Sequence, residues 1–291
     1  MTSATRGTLF LEEARVLSQL KFDAEQYVLR LAAPQCAARA APGSFAHLTC
    51  AAAIPMRRPL SIMRANPAGG WLEFLYKVVG PGLHALAARK AGDVVSVLGP
   101  IGRPFAPHRE RPRTLLLGGG VGIPPMVFLA ERLSADKATP WKPMVLMGSE
   151  VPFPFRVRPS ALIVAGMPTE AIACMPLLEE WGVPSRLASG ADFPGCFSGF
   201  VTELAAAWLA SLGKAELAEV EIFACGPTAM LQAAAALARR YQLPAQVSLE
   251  EFMACAVGGC AGCTVAVRTP EGAAMKRVCV DGPVFDADTV F

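Results

Sequence analysis

The sequence predicts three parts in chain order: an antiparallel β-barrel, a doubly wound parallel sheet, and a small cysteine-rich C-terminal domain. Short strand-like segments separated by Pro, Gly and Asp occupy residues 1–110, as in a small barrel. Strands then alternate with helical segments over residues 111–245, which is the pattern of a parallel sheet. Four of the nine cysteines fall within residues 246–291. The predicted fold class is therefore β followed by α/β, with a small third domain.

The barrel strands are predicted where apolar and polar residues alternate between turns. In the segment that begins at Trp71, for example, Phe74 and Tyr76 share one face and Lys77 lies on the other. The predicted strands are Phe10–Val16, Tyr27–Leu31, Phe45–Cys50, Trp71–Val79 and Val94–Leu98.

Two features of the predicted barrel suit a phosphate group. Arg58 and Ser61 place a bidentate cation and a hydroxyl three residues apart in an extended segment, where alternation puts Ser61 on the face opposite Leu60. A glycine turn at 80–82 leads into a helix-like start at Leu83–Ala88, and the free N–H groups of a helix N-terminus favour phosphate. Taken alone, a solvated surface cation and an ordinary turn explain these residues more simply.

The middle third begins with a strand, a glycine loop and a helix. Leu115–Leu117 is a short apolar strand, followed by the loop Gly118–Gly122 and a helical segment that runs to about Leu133. Pro124 and Pro125 suit the first helical turn, where a missing N–H group has no partner to lose. This arrangement can cradle a pyrophosphate. The loop nevertheless lacks the third glycine of a dinucleotide-binding fingerprint and the lysine of a P-loop.

Further strands and helices follow in alternation. The strands are predicted at Met144–Met147, Leu162–Ala165 and Glu221–Ala224, and the helices at Thr202–Leu212, capped by Thr202, and after Pro227 as far as Tyr241. Ligands of a parallel sheet bind at the carboxyl ends of its strands. Both Gly118–Gly122 and Cys225-Gly226-Pro227 directly follow a predicted strand. Cys225 is therefore a candidate site residue, with a buried core thiol as the alternative.

The most specific motif is the cysteine loop near the C-terminus. Cys255, Cys260 and Cys263 have the C-x4-C-x2-C spacing of plant-type ferredoxins, and Cys279 lies one loop further on. Four thiolates in this pattern are the ligands of a [2Fe–2S] cluster. Glycines in the loop allow positive φ angles and close approach of the backbone, so that N–H groups can point at the sulfur atoms. These glycines are Gly258, Gly259 and Gly262.

Other roles for these cysteines are weaker. A structural zinc site usually consists of two short Cys-x-x-Cys hooks, whereas here the spacing includes a four-residue gap and a distant single cysteine. The odd number of cysteines, nine, and the lack of a secretion signal disfavour disulfides. Zinc stays open as the alternative metal. The remaining cysteines are scattered and are predicted to be small buried hydrophobic residues: Cys36, Cys50, Cys174, Cys196 and Cys225.

Composition excludes several classes of function. The net charge of +3 is too small to indicate nucleic acid or an anionic membrane as a partner. The start of the chain, Met1–Arg6, has no apolar signal core. The longest uncharged run, Thr114–Ala130, contains four glycines and two adjacent prolines, which argues against a membrane span. We expect a soluble cytoplasmic protein.

Taken in order, these motifs resemble those of the ferredoxin-reductase-like flavoproteins. The series runs from Arg58-Pro59-Leu60-Ser61 through the glycine turn at 80–82, Gly118–Pro125 and Cys225-Gly226-Pro227 to the cysteine loop. Within that superfamily the chain looks like the electron-transfer subunits of NAD-dependent dihydroorotate dehydrogenases, and the resemblance covers nearly all of it. Its most specific parts are Ser248–Cys263 and Lys276–Phe285.

The resemblance implies three cofactors, which are FAD, a [2Fe–2S] cluster and NAD, together with the residues that bind them. The cluster ligands would be Cys255, Cys260, Cys263 and Cys279. FAD would contact Arg58, Pro59, Leu60, Ser61, Tyr76, Lys77, Val78, Gly82 and Leu83. The nicotinamide nucleotide would contact Gly120, Gly122, Cys225 and Gly226. Ser61 beside the flavin ring and Cys225 beside the nicotinamide are the candidate catalytic residues.

Three residues depart from the family pattern. Leu83 stands where a threonine is usual, which would remove one hydroxyl contact with FAD. Ala256 replaces a common glycine, and Phe252 stands where an arginine is common. The change at Phe252 alters the surface around the cluster, where a partner would dock.

The function that the resemblance implies is an electron conduit. A partner FMN dehydrogenase would oxidise dihydroorotate in pyrimidine biosynthesis, and electrons would pass through the cluster and FAD to NAD+. A flavin is needed because the cluster handles single electrons, whereas nicotinamide takes a pair. No segment looks like a dihydroorotate site, so the substrate belongs to the partner. The expected assembly is a hetero-oligomer, specifically a heterotetramer.

Two alternatives stay open. The same cofactors could form an NAD(P)H reductase subunit that serves a hydrogenase, a ferredoxin or another redox partner. The chain could also be a non-enzymatic interaction protein stabilised by zinc. For the nucleotide, Glu150 favours NAD because a carboxylate bonds a ribose diol and repels a 2′-phosphate, whereas Arg156 and Arg158 favour NADP.

Overall fold

The structure of the protein is a computed structural model that describes residues 8–291. The prediction made for Met1–Arg6 lies outside these residues. The first part of the fold has six strands: Phe10–Phe22 (β1), Gln26–Ala32 (β2), Phe45–Leu48 (β3), Arg58–Asn66 (β4), Trp71–Lys77 (β5) and Val94–Ile101 (β6). They form a closed antiparallel barrel in the order β1-β2-β5-β4-β3-β6. The predicted barrel is confirmed, and β4 is a full strand where the sequence indicated only an extended segment.

The barrel is filled by side chains that alternate along its strands. Phe74 and Tyr76 of β5 are buried in its interior, so the predicted common face is confirmed. The opposite face of the barrel wall carries Met63 of β4 and Leu75 of β5, which pack on the second part of the chain. Helix Pro34–Arg39 (α1) follows β2, and helix Gly80–Ala87 (α2) follows β5.

The second part is built on a seven-stranded sheet. The strands of this region are Arg113–Gly119 (β7), Met144–Gly148 (β8), Arg158–Pro159 (β9), Ala173–Cys174 (β10), Ser185–Ser189 (β11), Phe197–Ser198 (β12), Val220–Cys225 (β13) and Ala245–Ser248 (β14). A later strand, Val284–Asp286 (β17), completes the sheet, whose order is β12-β11-β8-β7-β13-β14-β17. All neighbours are parallel except β14 and β17, while β9 and β10 form a separate pair.

Helices cover both faces of this sheet. They are Ile123–Ala135 (α3), Pro176–Glu180 (α4), Val201–Ser211 (α5), Lys214–Leu217 (α6) and Thr228–Tyr241 (α7). Leu116 of β7 packs with α3 and α4, whereas its neighbours Leu115 and Leu117 pack with α5 and α7. The predicted doubly wound sheet is therefore confirmed. Among the described residues, no helix combines the length and the apolar composition needed to cross a membrane.

The last part is a hairpin followed by a return to the sheet. Thr264–Thr269 (β15) and Gly272–Arg277 (β16) pair in antiparallel fashion, and the chain then enters β17 and the helix Ala287–Val290 (α8). Before β17 the chain touches the barrel, where the Arg103 N–H donates to the Gly282 carbonyl at 2.6 Å. The domain limits at residues 110 and 245 stay predictions.

The strand predicted at Leu162–Ala165 is wrong. The strand beside β8 is β11 instead. Residues 161–162 are held by a side chain rather than by a neighbouring strand, because the Glu179 carboxylate accepts the N–H groups of Ala161 and Leu162 at 2.6 and 3.2 Å. A local apolar run therefore gave a misleading signal.

The predicted N-cap at Thr202 is also wrong. Helix α5 begins at Val201, with Phe200 as the preceding cap residue. The carboxylate of Glu203 turns back and accepts the N–H of Phe200 at 2.8 Å. The glutamate in the first turn thus satisfies the N–H of the cap residue itself, as the glutamate of a capping box does.

A cationic clamp joins the barrel to the sheet. Arg64 on β4 donates through Nε and Nη2 to Oε1 of Glu131 on α3, at 3.0 and 2.7 Å. The guanidinium also lies over the rings of Trp71 and Trp181, 5.4 and 5.2 Å from their centroids. Trp71 belongs to the barrel and Trp181 follows α4. One side chain therefore fixes the two parts relative to each other.

Replacing Arg64 with methionine should lower the free energy of unfolding by about 2 kcal/mol, because charged hydrogen bonds and cation–π contacts are lost. The midpoint of chemical denaturation measures this change. Lysine should recover only part of the loss, since an ammonium group lacks the planar fork. Arg39→Met, at an exposed position, is the matched control and should change stability by no more than about 0.5 kcal/mol. Equal losses at the two positions would contradict the clamp.

Candidate functional site

The carboxyl edge of the parallel sheet brings the two glycine motifs together. Strands β7 and β13 are parallel neighbours, and Gly118 lies in register with Cys225 at their ends. The turn Gly120–Gly122 leads from β7 into α3, and Gly226-Pro227 leads from β13 into α7. Two helix N-termini therefore lie at the same edge, where their free N–H groups can bind a phosphate anion.

Gly122 packs directly against the turn that contains Cys225 and Gly226. A Cβ at this residue would overlap the carbonyl of Cys225 and lie 2.5 Å from the nitrogen of Gly226. A Cβ at Gly120 would meet no atom within 4 Å, and Gly120 has a φ of +53°. Gly122 is therefore required for packing between the loops, whereas Gly120 presents open backbone at the edge.

Cys225 does not present a thiolate at this edge. Its side chain is fully buried. Burial, followed by the negative charge of Glu250, raises the pKa of the Cys225 thiol well above its ordinary value, although a hydrogen bond with Ser248 opposes the shift. The thiol is neutral, so it can act by contact but not as an anion. Cys225 is thus a core thiol that also lies at the predicted site.

Glu250 lies beside this edge and was missed by the sequence reasoning. A cleft of about 340 Å³ is lined by residues that include Gly226, Thr228, Glu250 and Phe291. Desolvation by the surrounding protein raises the pKa of the Glu250 carboxyl above its ordinary value, although the residue is partly exposed to solvent. A carboxyl with a raised pKa at the edge of a cleft is a candidate functional group. Its position two residues after β14 is the sequence signal that could have identified it.

On the barrel, Arg58 meets the first turn of α2. The guanidinium of Arg58 covers Gly82, because a Cβ on Gly82 would lie 2.7 Å from Nε of Arg58. Arg58 Nη1 also donates to the Met56 carbonyl at 2.7 Å, which holds the side chain near this turn. A guanidinium at the N-terminus of an eight-residue helix forms a positive site that suits phosphate. The two barrel features that are ambiguous in the sequence therefore lie at one place.

The side chains of Leu60 and Ser61 lie on opposite sides of β4. Leu60 points into the barrel core, whereas Ser61 is half-buried and alternates to the side of Met63. Met63 belongs to the same apolar cluster as Ile123 and Cys225. Ser61 therefore faces the junction between the barrel and the carboxyl edge of the sheet.

The other predicted barrel residues occupy the end of β5 and the start of α2. The Tyr76 hydroxyl points into the barrel and donates to Gln19 Oε1 at 2.9 Å, and burial raises the pKa of this hydroxyl. Any contact of Tyr76 with a ligand outside the barrel would therefore come from its backbone. Lys77 is exposed, Val78 is half-buried, and Leu83 packs against the barrel core.

Gln19 anchors helix α2 and was not predicted. Its Nε2 lies 3.1, 3.0 and 2.9 Å from the carbonyl oxygens of Leu86, Ala87 and Arg89. The last carbonyls of a helix lack intrahelical partners, so this amide caps the end of α2. Gln19 lies among Ser18, Leu20 and Lys21 of β1, and nothing in this local sequence distinguishes it from a surface residue.

The C-terminal loop brings its four cysteines into two pairs. The Cys260 N–H donates to Sγ of Cys255 at 3.4 Å. The β15–β16 hairpin carries the chain back, so that the Val278 N–H donates to the Cys263 carbonyl at 2.9 Å. Burial, and then the adjacent Cys263 thiol, raise the pKa of Cys279 to about 12. Two pairs of thiols fit a two-iron cluster, in which each iron takes two protein ligands.

Within residues 8–291, no three Cys, His, Asp or Glu side chains are grouped so as to hold a single metal ion. The fit to a cluster therefore rests on the two pairs and on the N–H groups aimed at the sulfur atoms. Burial acts to raise the pKa of Cys255, but hydrogen bonds from backbone N–H groups lower it to about 7; these N–H groups belong to Cys260, Val257 and Gly259. The Gly262 N–H donates to Sγ of Cys260 at 3.4 Å. Such a loop stabilises thiolates, as a cluster requires.

The loop takes left-handed backbone conformations at one glycine and two alanines. Gly258 has a φ of +82°, and Ala256 and Ala261 have +56° and +54°. The positive φ angle that glycine allows is used at Gly258 but not at Gly259 or Gly262, where a Cβ would make an ordinary contact with a cysteine sulfur at 4.0 and 3.5 Å. An alanine in this conformation costs about 1 kcal/mol, which accounts for the usual glycine at position 256.

The other cysteines lie outside this loop. Cys36, Cys50, Cys174 and Cys225 are buried, and Cys196 is half-buried. The prediction that they are small buried hydrophobic residues is therefore confirmed for four of them.

The barrel, the parallel sheet and the cysteine loop together define a reductase of the ferredoxin-reductase type. The fold is similar to that of an NADH-dependent reduced ferredoxin–NADP oxidoreductase studied for flavin-based electron bifurcation, with a TM-score of 0.76 and 25% identity over 96% of this chain and 90% of that chain. It is also similar to a ferredoxin reductase in carbazole 1,9a-dioxygenase, with a TM-score of 0.58 and 22% identity over 80% of this chain and 65% of that chain.

Sequence relatives give the family. The profile of the iron–sulfur cluster binding domain of dihydroorotate dehydrogenase B matches residues 250–291. The dihydroorotate dehydrogenase B (NAD(+)) electron transfer subunit of Caldanaerobacter subterraneus subsp. tengcongensis is 31% identical over 279 residues, which cover 96% of this chain and 97% of that protein. The corresponding subunit of Geobacillus kaustophilus is 33% identical over 288 residues, which cover 96% and 98%. The chain belongs to this family of electron transfer subunits.

Replacing Gly122 with alanine should destabilise the protein by about 1–3 kcal/mol, because the new methyl group overlaps the Cys225 carbonyl and the backbone must shift. The same shift should weaken NADH binding, measured by fluorescence titration, by tenfold or about 1.4 kcal/mol. Gly213→Ala is the control, because its Cβ would meet only Glu216 Oε2 at 3.8 Å. Wild-type stability and NADH affinity in Gly122→Ala would contradict the assigned contact.

Proposed function

We propose that this chain is the electron transfer subunit of an NAD-dependent dihydroorotate dehydrogenase of the cytoplasm. The observation that carries this proposal is the two-pair cysteine loop, which is attached to a barrel and a nucleotide-type sheet in one chain. When bound, a [2Fe–2S] cluster supplies single-electron chemistry, and FAD joins it to the two-electron chemistry of NAD. Dihydroorotate oxidation belongs to an FMN-containing partner subunit, with which this chain forms a hetero-oligomer.

The barrel residues would hold FAD by its phosphates. Arg58 and the free N–H groups at the start of α2 supply the positive charge, and Gly82 leaves the space in which the guanidinium lies. Ser61, on the side of β4 that faces the sheet, would lie beside the flavin ring. Gln19 keeps α2 in place through its carboxyl end.

The carboxyl edge of the sheet would hold the nicotinamide nucleotide. Gly120 and Gly226 offer backbone at this edge, and the neutral thiol of Cys225 would exclude water from the nicotinamide side of the junction. Glu150, which follows β8 and is exposed, supports NAD over NADP. Anaerobic bleaching of the flavin by NADH and by NADPH tests this choice, and faster bleaching by NADPH would refute it.

A second candidate is a reductase subunit for ferredoxin or a similar redox partner. The likeness to the ferredoxin–NADP oxidoreductase, at 25% identity over 96% of the chain, favours it. An anaerobic pull-down from the native host separates the two candidates. Dihydroorotate-dependent reduction of NAD+ by the eluate, together with a co-purifying FMN protein, would support the dehydrogenase assignment. A different partner without that activity would support the second candidate.

Replacing Cys279 with serine should abolish the cluster, because one of four ligands is lost and the second pair is broken. Iron content should fall from about two atoms per chain to near zero, and the EPR signal of the dithionite-reduced protein should disappear. The control is Cys196→Ser, a half-buried cysteine outside the loop, which should retain both. Zinc without acid-labile sulfide in the wild-type protein would contradict the cluster assignment.

Replacing Phe252 with serine should weaken binding of the catalytic partner about tenfold or more, because exposed aromatic anchors dominate interfaces. Phe252 is 95% exposed and lies three residues before Cys255, so its ring marks the surface next to the cluster. Ile163→Ser is a matched control, since Ile163 is 97% exposed on a distant loop. Surface plasmon resonance measures both affinities. Equal losses, or none at Phe252, would place the docking surface elsewhere.

A further inference from the structure

Gln26 on β2 is a buried amide that the roles assigned above do not use. Only 4% of its surface is exposed. Its Nε2 donates to the carbonyl oxygen of Asp23 at 3.0 Å and to that of Pro152 at 2.7 Å. Both of these atoms are acceptors, so the NH2 end of the amide must face them. A barrel residue is therefore bonded to the loop that follows β8 of the sheet.

The barrel end of this contact adjoins the segment that would bind FAD. Gln26 pairs with Lys77 across β2 and β5, and the Val78 N–H donates to the Glu25 carbonyl at 2.9 Å. Lys77 and Val78 are both predicted FAD contacts. The bond to Asp23 also holds the amide against the turn between β1 and β2. The amide thus projects from a strand whose backbone is fixed beside the proposed flavin segment.

The sheet end of the contact is the loop that carries Glu150. Before Glu150, the Ser149 N–H donates to the Ala188 carbonyl at 3.2 Å, which ties the loop to β11. Two residues after Glu150, the Pro152 carbonyl is held by Gln26. The Glu150 side chain is exposed. An exposed carboxylate is therefore presented by a backbone that is bound on both sides.

Apolar packing next to Pro152 does not replace this hydrogen bond. Phe153 is buried in the same cluster as Leu75 of the outer barrel wall, and its ring centroid lies 5.4 Å from that of Phe155. Burial of apolar surface draws the loop to the barrel but has no direction, whereas a hydrogen bond fixes one carbonyl at one place. The Gln26 amide therefore supplies the directional part of the contact.

We propose that Gln26 is a positioning residue for nucleotide selection, which holds the loop of Glu150 so that the carboxylate meets the adenosine ribose of NAD. A carboxylate there bonds the ribose diol and repels a 2′-phosphate, and both effects depend on where it lies. A loop that is not held lets the carboxylate move away from either group. The inference rests on the proposed function, because it presumes that Glu150 selects NAD.

The test compares the wild type with Gln26→Met, whose side chain has a similar length but no donor. Gln35→Met is the matched control, because Gln35 is exposed on α1. Each protein is purified anaerobically with FAD and the cluster and is mixed with NADH or NADPH at a series of concentrations. Flavin bleaching gives the maximal rate and the concentration for half-maximal rate with each nucleotide.

We expect Gln26→Met to raise the half-maximal concentration of NADH about fivefold, which is the scale of one lost hydrogen bond. The value for NADPH should change by less than about twofold, since NADPH gains nothing from a well-placed carboxylate. The maximal rates should also stay within about twofold of the wild type, because no reacting atom is touched. The preference for NADH therefore falls, whereas Gln35→Met should keep it.

A double variant shows whether Gln26 acts through Glu150. Glu150→Gln removes the charge and should lower the preference for NADH by itself. If Gln26 acts by placing Glu150, adding Gln26→Met to Glu150→Gln should cause no further loss of preference. Equal losses from Gln26→Met with and without the Glu150 carboxylate would contradict the proposal.

A further readout does not depend on nucleotide binding. Hydrogen–deuterium exchange of residues 149–153 should be faster in Gln26→Met than in the wild type and normal in Gln35→Met. If Gln26→Met does not fold, Gln26→Glu takes its place, since it keeps the shape and has only acceptors when ionised.

An unchanged preference for NADH in the Gln26 variant would overturn the proposal. An equal loss of affinity for both nucleotides would also overturn it, because that result indicates a general role in folding. A wild-type protein that NADPH bleaches faster than NADH would refute the proposed choice of NAD instead. The exchange experiment would then still show whether Gln26 holds the loop.

Discussion

The short stretch from Gly282 to Val284 fixes the three parts of the molecule to one another. Its first carbonyl accepts the N–H of Arg103 at the end of the barrel, at 2.6 Å. Its second carbonyl, that of Pro283, accepts the N–H of Leu249 just after β14, at 2.9 Å. The stretch then becomes β17 and pairs with the sheet. Three consecutive residues are therefore bound to the barrel, to the approach of the cysteine loop and to the sheet.

This constraint determines where a cluster can lie. Cys279 is only three residues before Gly282, and Cys255 is six residues after Leu249. Both ends of the cluster-binding part are thus joined by short segments to the same anchored stretch, Gly282 to Val284. Electron transfer over a fixed distance requires such anchoring, since a mobile cluster domain would vary the separation between redox centres. Arg64 helps to hold the barrel and the sheet in a fixed arrangement, which would also fix the distance between the two proposed nucleotide sites.

What could be predicted from the sequence is what depends on local spacing. The cysteine loop, the glycine loop after β7 and the Cys225-Gly226-Pro227 turn are each contained in a short stretch. Their chemistry follows from residue types a few positions apart. The barrel and the doubly wound sheet were predictable for the same reason, because alternation and strand–helix periodicity are local patterns.

The missed residues are defined by partners that are remote in sequence. Gln19 acts on carbonyls near residue 87, and Arg64 donates to the carboxylate of Glu131. The residues that flank each of them in the sequence form no recognisable motif. The partner of each comes close only when the chain is folded. The strand wrongly predicted at Leu162–Ala165 shows the converse, because a remote carboxylate, that of Glu179, overrides a favourable local pattern.

Backbone N–H groups would be the common means of binding at the three proposed sites. They are free at the start of α2 and at the carboxyl edge of the sheet, and in the cysteine loop they donate to cysteine sulfur atoms. Binding by backbone depends on conformation more than on side-chain identity, so the departures at Leu83 and Ala256 leave the donors in place. Substitutions of Gly82 or Gly122 differ in kind, because a Cβ there would displace a guanidinium or a carbonyl that forms the site itself. The residues that tolerate change and those that do not are therefore distinguished by what a Cβ would meet.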